Sequence, residues 1–143
     1  MNLEYVAKYG PGPHVAVDAV VISLDFQILL IRRKDTGKLA LPGGFVEPWE
    51  YPIAAAWREL REEAGLSCLQ HAKRVKVYDD PKRDPRAHII THAHLFMLAG
   101  KAHRFKIKAG DDAKEAMWVP LSELFMVERD WYADHMQIIM DML

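Results

Sequence analysis

The chain has 143 residues, 50% of them hydrophobic and 27% charged, enough for one domain with a real core and too few for two ordinary ones. With 19 Lys and Arg against 20 Asp and Glu, the net charge of -1 supplies no basic field for polynucleotides or a membrane surface, so a small-molecule partner is expected and neither nucleic acid nor membrane. The one cysteine, Cys68, excludes an intrachain disulfide and a cysteine-built zinc site, and with no signal-like layout over Met1–Gly10 the expected location is cytoplasmic.

In chain order, residues 14–23 are rich in Val and Ala behind Gly10-Pro11-Gly12-Pro13, and residues 27–32 follow across a short turn, which predicts paired strands. Residues 52–64 form the clearest helix. Pro52 suits its first turn, Ala54, Ala55 and Ala56 favour it, and Gly65 can take the left-handed stop. At about 100° per residue, Ile53, Ala56, Trp57, Leu60 and Ala64 share one stripe, which must face a core. Further strands are expected at residues 73–78, 89–98 and 116–119. A second helix is expected from Trp131 to Met142, capped by Asp130, with His135, Ile138, Ile139 and Met142 on its inner face. No repeat or linker divides the chain, and the expected class is α/β, a mixed sheet flanked by helices.

The strand at 89–98 places His88, Ile90, His92, His94, Phe96 and Leu98 on one face and Ile89, Thr91, Ala93, Leu95 and Met97 on the other. The odd-numbered face is expected to be core. Three imidazoles on one face raise the question of zinc, but no nearby cysteine completes a set. His92 and His94 are candidates for substrate binding.

On the far side of the first helix, Glu59, Glu62 and Glu63 stand at i, i+3 and i+4, a spacing at which like charges repel. Either Arg58 and Arg61 balance a solvated acidic face, or a cation sits among the carboxylates. An all-oxygen set selects a hard ion such as Mg²⁺, with Mn²⁺ as the alternative. The surroundings favour the cation. Gly44, five residues, Glu50, seven residues, Arg58-Glu59-Leu60, one residue, Glu62-Glu63, one residue and Gly65-Leu66 resembles the Nudix hydrolase signature at every specified position. Leu41-Pro42-Gly43-Gly44-Phe45-Val46-Glu47, Asp18 and Ala116-Met117-Trp118-Val119-Pro120-Leu121 extend the resemblance over most of the chain.

The resemblance implies a single Nudix hydrolase domain over residues 1–143, with a Nudix-type α/β/α sandwich. It implies that the Gly44 carbonyl, Glu59, Glu62 and Glu63 surround divalent ions, and that Arg58 pairs with Glu50 to fix the loop against the helix, orienting rather than reacting. Two positions depart from the pattern: Trp49 stands where family members often have Gly, and Tyr51-Pro52 where a small hydroxyl residue is common. They put the entry geometry of the helix in question. The general base is open between Glu63 and Glu115, the latter in a loop whose Asp111 and Asp112 also read as ordinary turn residues.

Tyr78-Asp79-Asp80-Pro81-Lys82-Arg83-Asp84-Pro85-Arg86 packs three cations around an Asp-Pro turn, which suits a phosphate or ribosyl phosphate. Together with Pro13–Asp18 and Asp134-His135, the Arg83–Arg86 segment resembles the ADP-ribose pyrophosphatase branch, with Ala87 where that branch often has Gly. Arg83 and Arg86 are the expected substrate ligands, and the implied reaction cleaves ADP-ribose to AMP and ribose 5-phosphate. Two other functions compete. One is an ADP-ribose sensor without turnover, although such sensors usually carry a DNA-reading domain for which a chain ending at Leu143 leaves no room. The other is hydrolysis of a different nucleotide: an oxidised nucleoside triphosphate, NADH or a dinucleoside polyphosphate. Relatives of this branch are often fused or dimeric, and a homodimer is among the expectations.

Overall fold

The computed structural model describes residues 1–127 and 130–143. Its elements are α1 (Leu3–Tyr9), β1 (His14–Ile22), β2 (Gln27–Arg33), β3 (Leu39–Ala40), β4 (Gly43–Phe45), α2 (Pro52–Ala64), β5 (Arg74–Tyr78), β6 (Ile89–Met97), β7 (Ala113–Pro120), α3 (Leu124–Val127) and α4 (His135–Met142). The strands form one mixed sheet in the order β3-β2-β1-β6-β5, with β4 also on β1 and β7 also on β2. Among the described strands β1 and β6 run parallel, and the other strand pairs are antiparallel.

Alternation along β1 divides the interior in two. Val17, Ala19 and Val21 pack with Ala55, Ala56, Leu60 and Ala64 of α2, while Val20 and Ile22 pack with Ile138, Ile139 and Met142 of α4. The sheet thus lies between helices on both faces, the α/β/α sandwich expected. This arrangement corrects the reading of β6. Its odd positions Ala93 and Leu95 are core on the α4 side, but His94 and Phe96 are equally buried on the α2 side, because the sheet is covered on both faces.

β1 and β2 are joined in register only at Ile22 and Ile28. Beyond that point they part: β4 takes the place beside β1 over Ala16–Asp18, and β3 and β7 flank β2. A fork opens between two strands of one sheet, and the functional cavity lies in it.

Several elements differ from expectation. The last helix starts at His135 and not at Trp131, because the preceding residues are held extended against β3: Trp131 bridges Leu39, and the Tyr132 N–H donates to the Leu39 carbonyl at 2.9 Å. Its cap position is Asp134, without a side-chain cap bond, since that carboxylate is committed to Arg83. The helix α1 was not foreseen. It buries no residue and therefore shows no apolar stripe; the Asn2 side chain caps it at the Tyr5 N–H. The short strands β3 and β4 exist through pairing alone.

Candidate active site

α2 carries the acidic residues on the edge that borders the fork. Pro52 occupies its first turn, and Gly65, at φ 65°, ends it with its N–H on the Arg61 and Leu60 carbonyls. Glu63 is 5% exposed and accepts the Gly43 N–H at 2.9 Å. Its carboxyl also hydrogen-bonds that of Glu59. Burial, ahead of all other influences, pushes Glu63 up to about 9, and burial also raises Glu59 against the pull of Arg58. The two carboxyls therefore hold a proton between them at neutral pH. Gly44 lies against this pair so closely that a β-carbon there would overlap the Glu59 carboxylate, a contact only glycine permits.

Glu62 points elsewhere. It does not wall the cavity; its side chain is 37% exposed and stands 3.2 Å from the Arg58 nitrogen that also meets Glu59, so Arg58 bridges Glu59 and Glu62 while Glu59 and Glu63 face the cavity. Arg58 is the hub. It forms a two-pronged pair with Glu50 at 2.8 and 2.9 Å, meets Glu59 at 2.8 Å and donates to the Phe45 carbonyl at 2.9 Å. The Glu50 hydrogen bonds hold its carboxyl below the ordinary range. One guanidinium thus ties β4, the turn at residues 47–50 and α2 together. Trp49, in that turn, has φ 65° and a fully exposed side chain, which explains why glycine would suit the position.

The cavity in the fork has a volume of about 170 Å³ and is walled by Asp18 of β1, Arg33 of β2, Gly43–Phe45, Glu59, Glu63, Arg86, Asp112, Tyr132 and His135, among others. Beneath it runs a buried polar network. Asp18 accepts the Thr91 hydroxyl at 2.7 Å and stands 3.6 Å from His135 Nε2. His135 Nδ1 accepts the Leu41 N–H at 2.9 Å, which leaves the ring proton on Nε2, facing Asp18. Burial lowers the pKa of His135, consistent with that neutral tautomer. His135 therefore holds, through Leu41, the loop that presents Gly43 and Gly44.

The two arginines singled out in the sequence stand differently. Arg83 also walls the cavity; with 3% of its side chain exposed, it is paired through two hydrogen bonds with Asp134, at 2.7 and 2.9 Å. Its guanidinium fastens the loop before β6 to the start of α4. Arg86 is paired with Asp84 at 3.0 Å but keeps 25% of its side chain exposed. Its guanidinium lies 5.2 to 5.7 Å from the ring centroids of Tyr5, Phe45 and Tyr132. His92 and His94 do not wall the cavity: His94 is 2% exposed, stacked on Phe96, with Nδ1 at the His92 carbonyl. Glu115 lies outside it too, on β7, 3.7 Å from Arg32 and more than half exposed. Among the described residues no group of three or more His, Cys, Asp or Glu side chains is gathered as a metal cage, at the histidines of β6 or at the motif carboxylates. Sequence reading missed Arg33 and Tyr132, whose ring lies 4.0 Å from the Arg33 guanidinium; neither carries a local signal.

The NUDIX domain model matches residues 12–142. The chain belongs to the NUDIX domain family. Among its relatives, the "ADP-ribose pyrophosphatase" of Methanocaldococcus jannaschii is 42% identical over 132 residues, covering 90% of this chain and 72% of that protein. A bifunctional NMN adenylyltransferase/ADP ribose pyrophosphatase from Francisella tularensis superposes with a TM-score of 0.89 at 33% identity over 98% of this chain. The same bifunctional protein complexed with AMP and a manganese ion gives 0.87 at 34% identity, again over 98% of this chain. This NUDIX chain spans 44% and 45% of those two longer chains. No helix among its described residues is long and apolar enough to cross a membrane.

Proposed function

We propose that this NUDIX chain is a pyrophosphohydrolase that cleaves the diphosphate bridge of ADP-ribose, giving AMP and ribose 5-phosphate. The observation that carries the reading is the buried Glu59–Glu63 pair packed on Gly44 in a cavity that Arg86 also walls. Its substrate assignment draws on the archaeal relative called an ADP-ribose pyrophosphatase.

A divalent cation fits this donor set. The carboxyl oxygens of Glu59 and Glu63 are hard ligands gathered against Gly44 in the cavity, the oxygen donor set that Mg²⁺ or Mn²⁺ prefers. Glu59, Glu63 and the Gly44 carbonyl would hold the ion, and Glu62 would join on leaving Arg58. When bound, Mg²⁺ or Mn²⁺ supplies charge neutralisation at the phosphoryl oxygens and a more acidic water.

The protein's own groups do the rest. Arg86 faces the incoming diphosphate from the opposite wall, and its cost of desolvation is already offset by Asp84. Arg58 and Glu50 keep the glycine loop and α2 in fixed relation, so the carboxylates do not reorganise during the reaction. Of the two candidates for the base, Glu63 faces the cavity and Glu115 does not; the proton of the attacking water goes to the Glu59–Glu63 pair. Arg83, buried on Asp134, acts on substrate only by positioning the Arg86 loop. The working unit in this proposal is one domain over residues 1–143, in the cytoplasm, where the buried thiol of Cys68 stays reduced.

Product analysis on a nucleotide panel with Mg²⁺ tests the reading: ADP-ribose, NADH, diadenosine polyphosphates and dGTP analogues. ADP-ribose should give the highest kcat/KM and equimolar AMP and ribose 5-phosphate. Tight binding of ADP-ribose without cleavage would replace the enzyme with a sensor. Light scattering on the same sample checks for the homodimer.

A further inference from the structure

The sheet ends at β5. The backbone of this strand pairs with β6 on one side, and among the described residues no backbone hydrogen bond reaches it from the other. Four of its five residues are exposed, Val75 and Val77 among them at 50% and 46%. The two valines stand opposite His94 and His92, on the face that carries α2, yet neither enters the core that α2 closes over that face. An open edge beside an apolar face is a template for another strand. We propose that its occupant is the β5 edge of a second copy of this chain, paired antiparallel about a two-fold axis at Lys76.

The pattern of charge along residues 73–79 selects a second copy over an unrelated strand. With the axis at Lys76, Val75 meets Val77 of the second copy, Arg74 meets Tyr78 of the second copy, and Lys73 meets Asp79 of the second copy, each contact occurring twice. Apolar side chains thus lie on apolar ones, a guanidinium on a phenol ring and an amine on a carboxylate. Lys73 and Asp79 are both exposed, and among the described residues neither has an ion pair within its own chain. Lys76 meets its own copy on the axis, but each of the two has Asp141 of its own chain at 3.5 Å. Neighbouring registers fit worse: an axis at Val75 sets Arg74 against Lys76, and an axis at Val77 sets Val75 against Asp79. An unrelated partner would demand no such match between the two ends of one short strand. β5 stands on the far side of β6 from the fork, so the contact leaves the cavity open.

The test uses the whole chain. Sedimentation velocity at rising concentration should show a monomer passing to a dimer, and Val77→Lys should keep the chain monomeric where the unaltered one is dimeric. Lys73→Glu and Asp79→Lys should each weaken the dimer about tenfold, since each places like charges at two symmetric contacts, and the chain carrying both changes should regain the original affinity. These reversals sit on exposed side chains and keep the test open should Val77→Lys fail to fold by circular dichroism. Cysteines read the register. Opposite residues of an antiparallel pair have α-carbons about 4.5–5.5 Å apart, within disulfide reach, so Lys76→Cys should cross-link to its own copy under mild oxidation. Val75→Cys should cross-link with Val77→Cys and not with itself, because its own copy is about 7–8 Å away. The native Cys68 is buried and does not compete. A chain that stays monomeric at every concentration overturns the proposal. So does a dimer that folded Val77→Lys leaves intact or that the double charge reversal fails to restore, either of which would put the contact elsewhere and give the β5 edge to a different partner.

Discussion

Glu63 is a carboxyl whose neighbourhood keeps it neutral until a cation arrives, and this gives its substitution an unusual signature. Glutamine preserves the neutral form and can still accept the Gly43 N–H, so Glu63→Gln should lower kcat by at least about a hundredfold while the melting temperature without added metal holds or rises. A fall in both would mean that the residue serves folding. Gly44→Ala should act through geometry, because its β-carbon enters the Glu59 carboxylate; we expect loss of Mn²⁺ binding, read by electron paramagnetic resonance, on a chain that remains folded. Trp49→Gly runs against the norm for surface substitutions. Relief of the left-handed backbone, about 1–2 kcal/mol for an ordinary residue, outweighs the entropy that glycine loses, about 0.5–1 kcal/mol. The chain should gain slight stability in urea unfolding. A marked loss would show that the exposed indole has a partner.

At the scale of elements, two arginines three positions apart in one loop, Arg83 and Arg86, have different partners. Arg83 joins the β6 approach loop to α4 through a pair shielded from solvent, and removing one member strands the other. Arg83→Ala should cost about 3–5 kcal/mol, measured by denaturant unfolding, with activity following the folded fraction. Arg86→Ala strands Asp84, whose side chain is 2% exposed, so it too should lose stability, and in its folded fraction it should also raise KM and lower kcat. Equal turnover per folded molecule in the two variants would contradict this division. The pairing also explains a boundary that local pattern got wrong: Asp134 cannot cap α4 with its side chain while it holds Arg83, and residues 131–132 are drawn along β3 before the helix begins.

For the molecule as a whole, burial of two histidines sets the acid limit. Burial lowers the pKa of both His94 and His135. The unfolded chain therefore takes up protons near the ordinary value of 6.5 while the folded chain resists, so the stability these histidines contribute is full above pH 6.5 and falls as pH drops below it toward the folded values. Glu63, pushed up to about 9, acts in the opposite sense, its contribution being lost as pH rises toward that value; in the Glu63→Gln chain, melting curves between pH 8 and pH 5 should therefore show the histidine decline, and adding His94→Asn should flatten part of it. An acid limit set only by carboxylates, below pH 4.5, would refute the assignment.

What was legible in the sequence is what short-range chemistry controls. The helix at 52–64 carries its own start, stop and apolar stripe, β1 and the centre of β2 are apolar runs, and the spacing of Gly44, Glu50, Arg58, Glu59 and Glu63 is local enough to read as a site. Everything that depends on partners distant along the chain was decided by the tertiary structure. The parting of β1 from β2 makes the cavity, the double cover of the sheet buries His94 away from it, and Arg58 draws Glu62 aside. The docking of residues 130–135 along β3 brings Tyr132 and His135 to the glycine loop, and α1, without a buried stripe of its own, acquires its place only from the Arg86 loop it touches. Hydrogen bonds and burial between segments far apart in the chain, such as the 94 residues from Leu41 to His135, leave no periodic trace in either segment, which is why the order of residues announced the chemistry but not the walls around it.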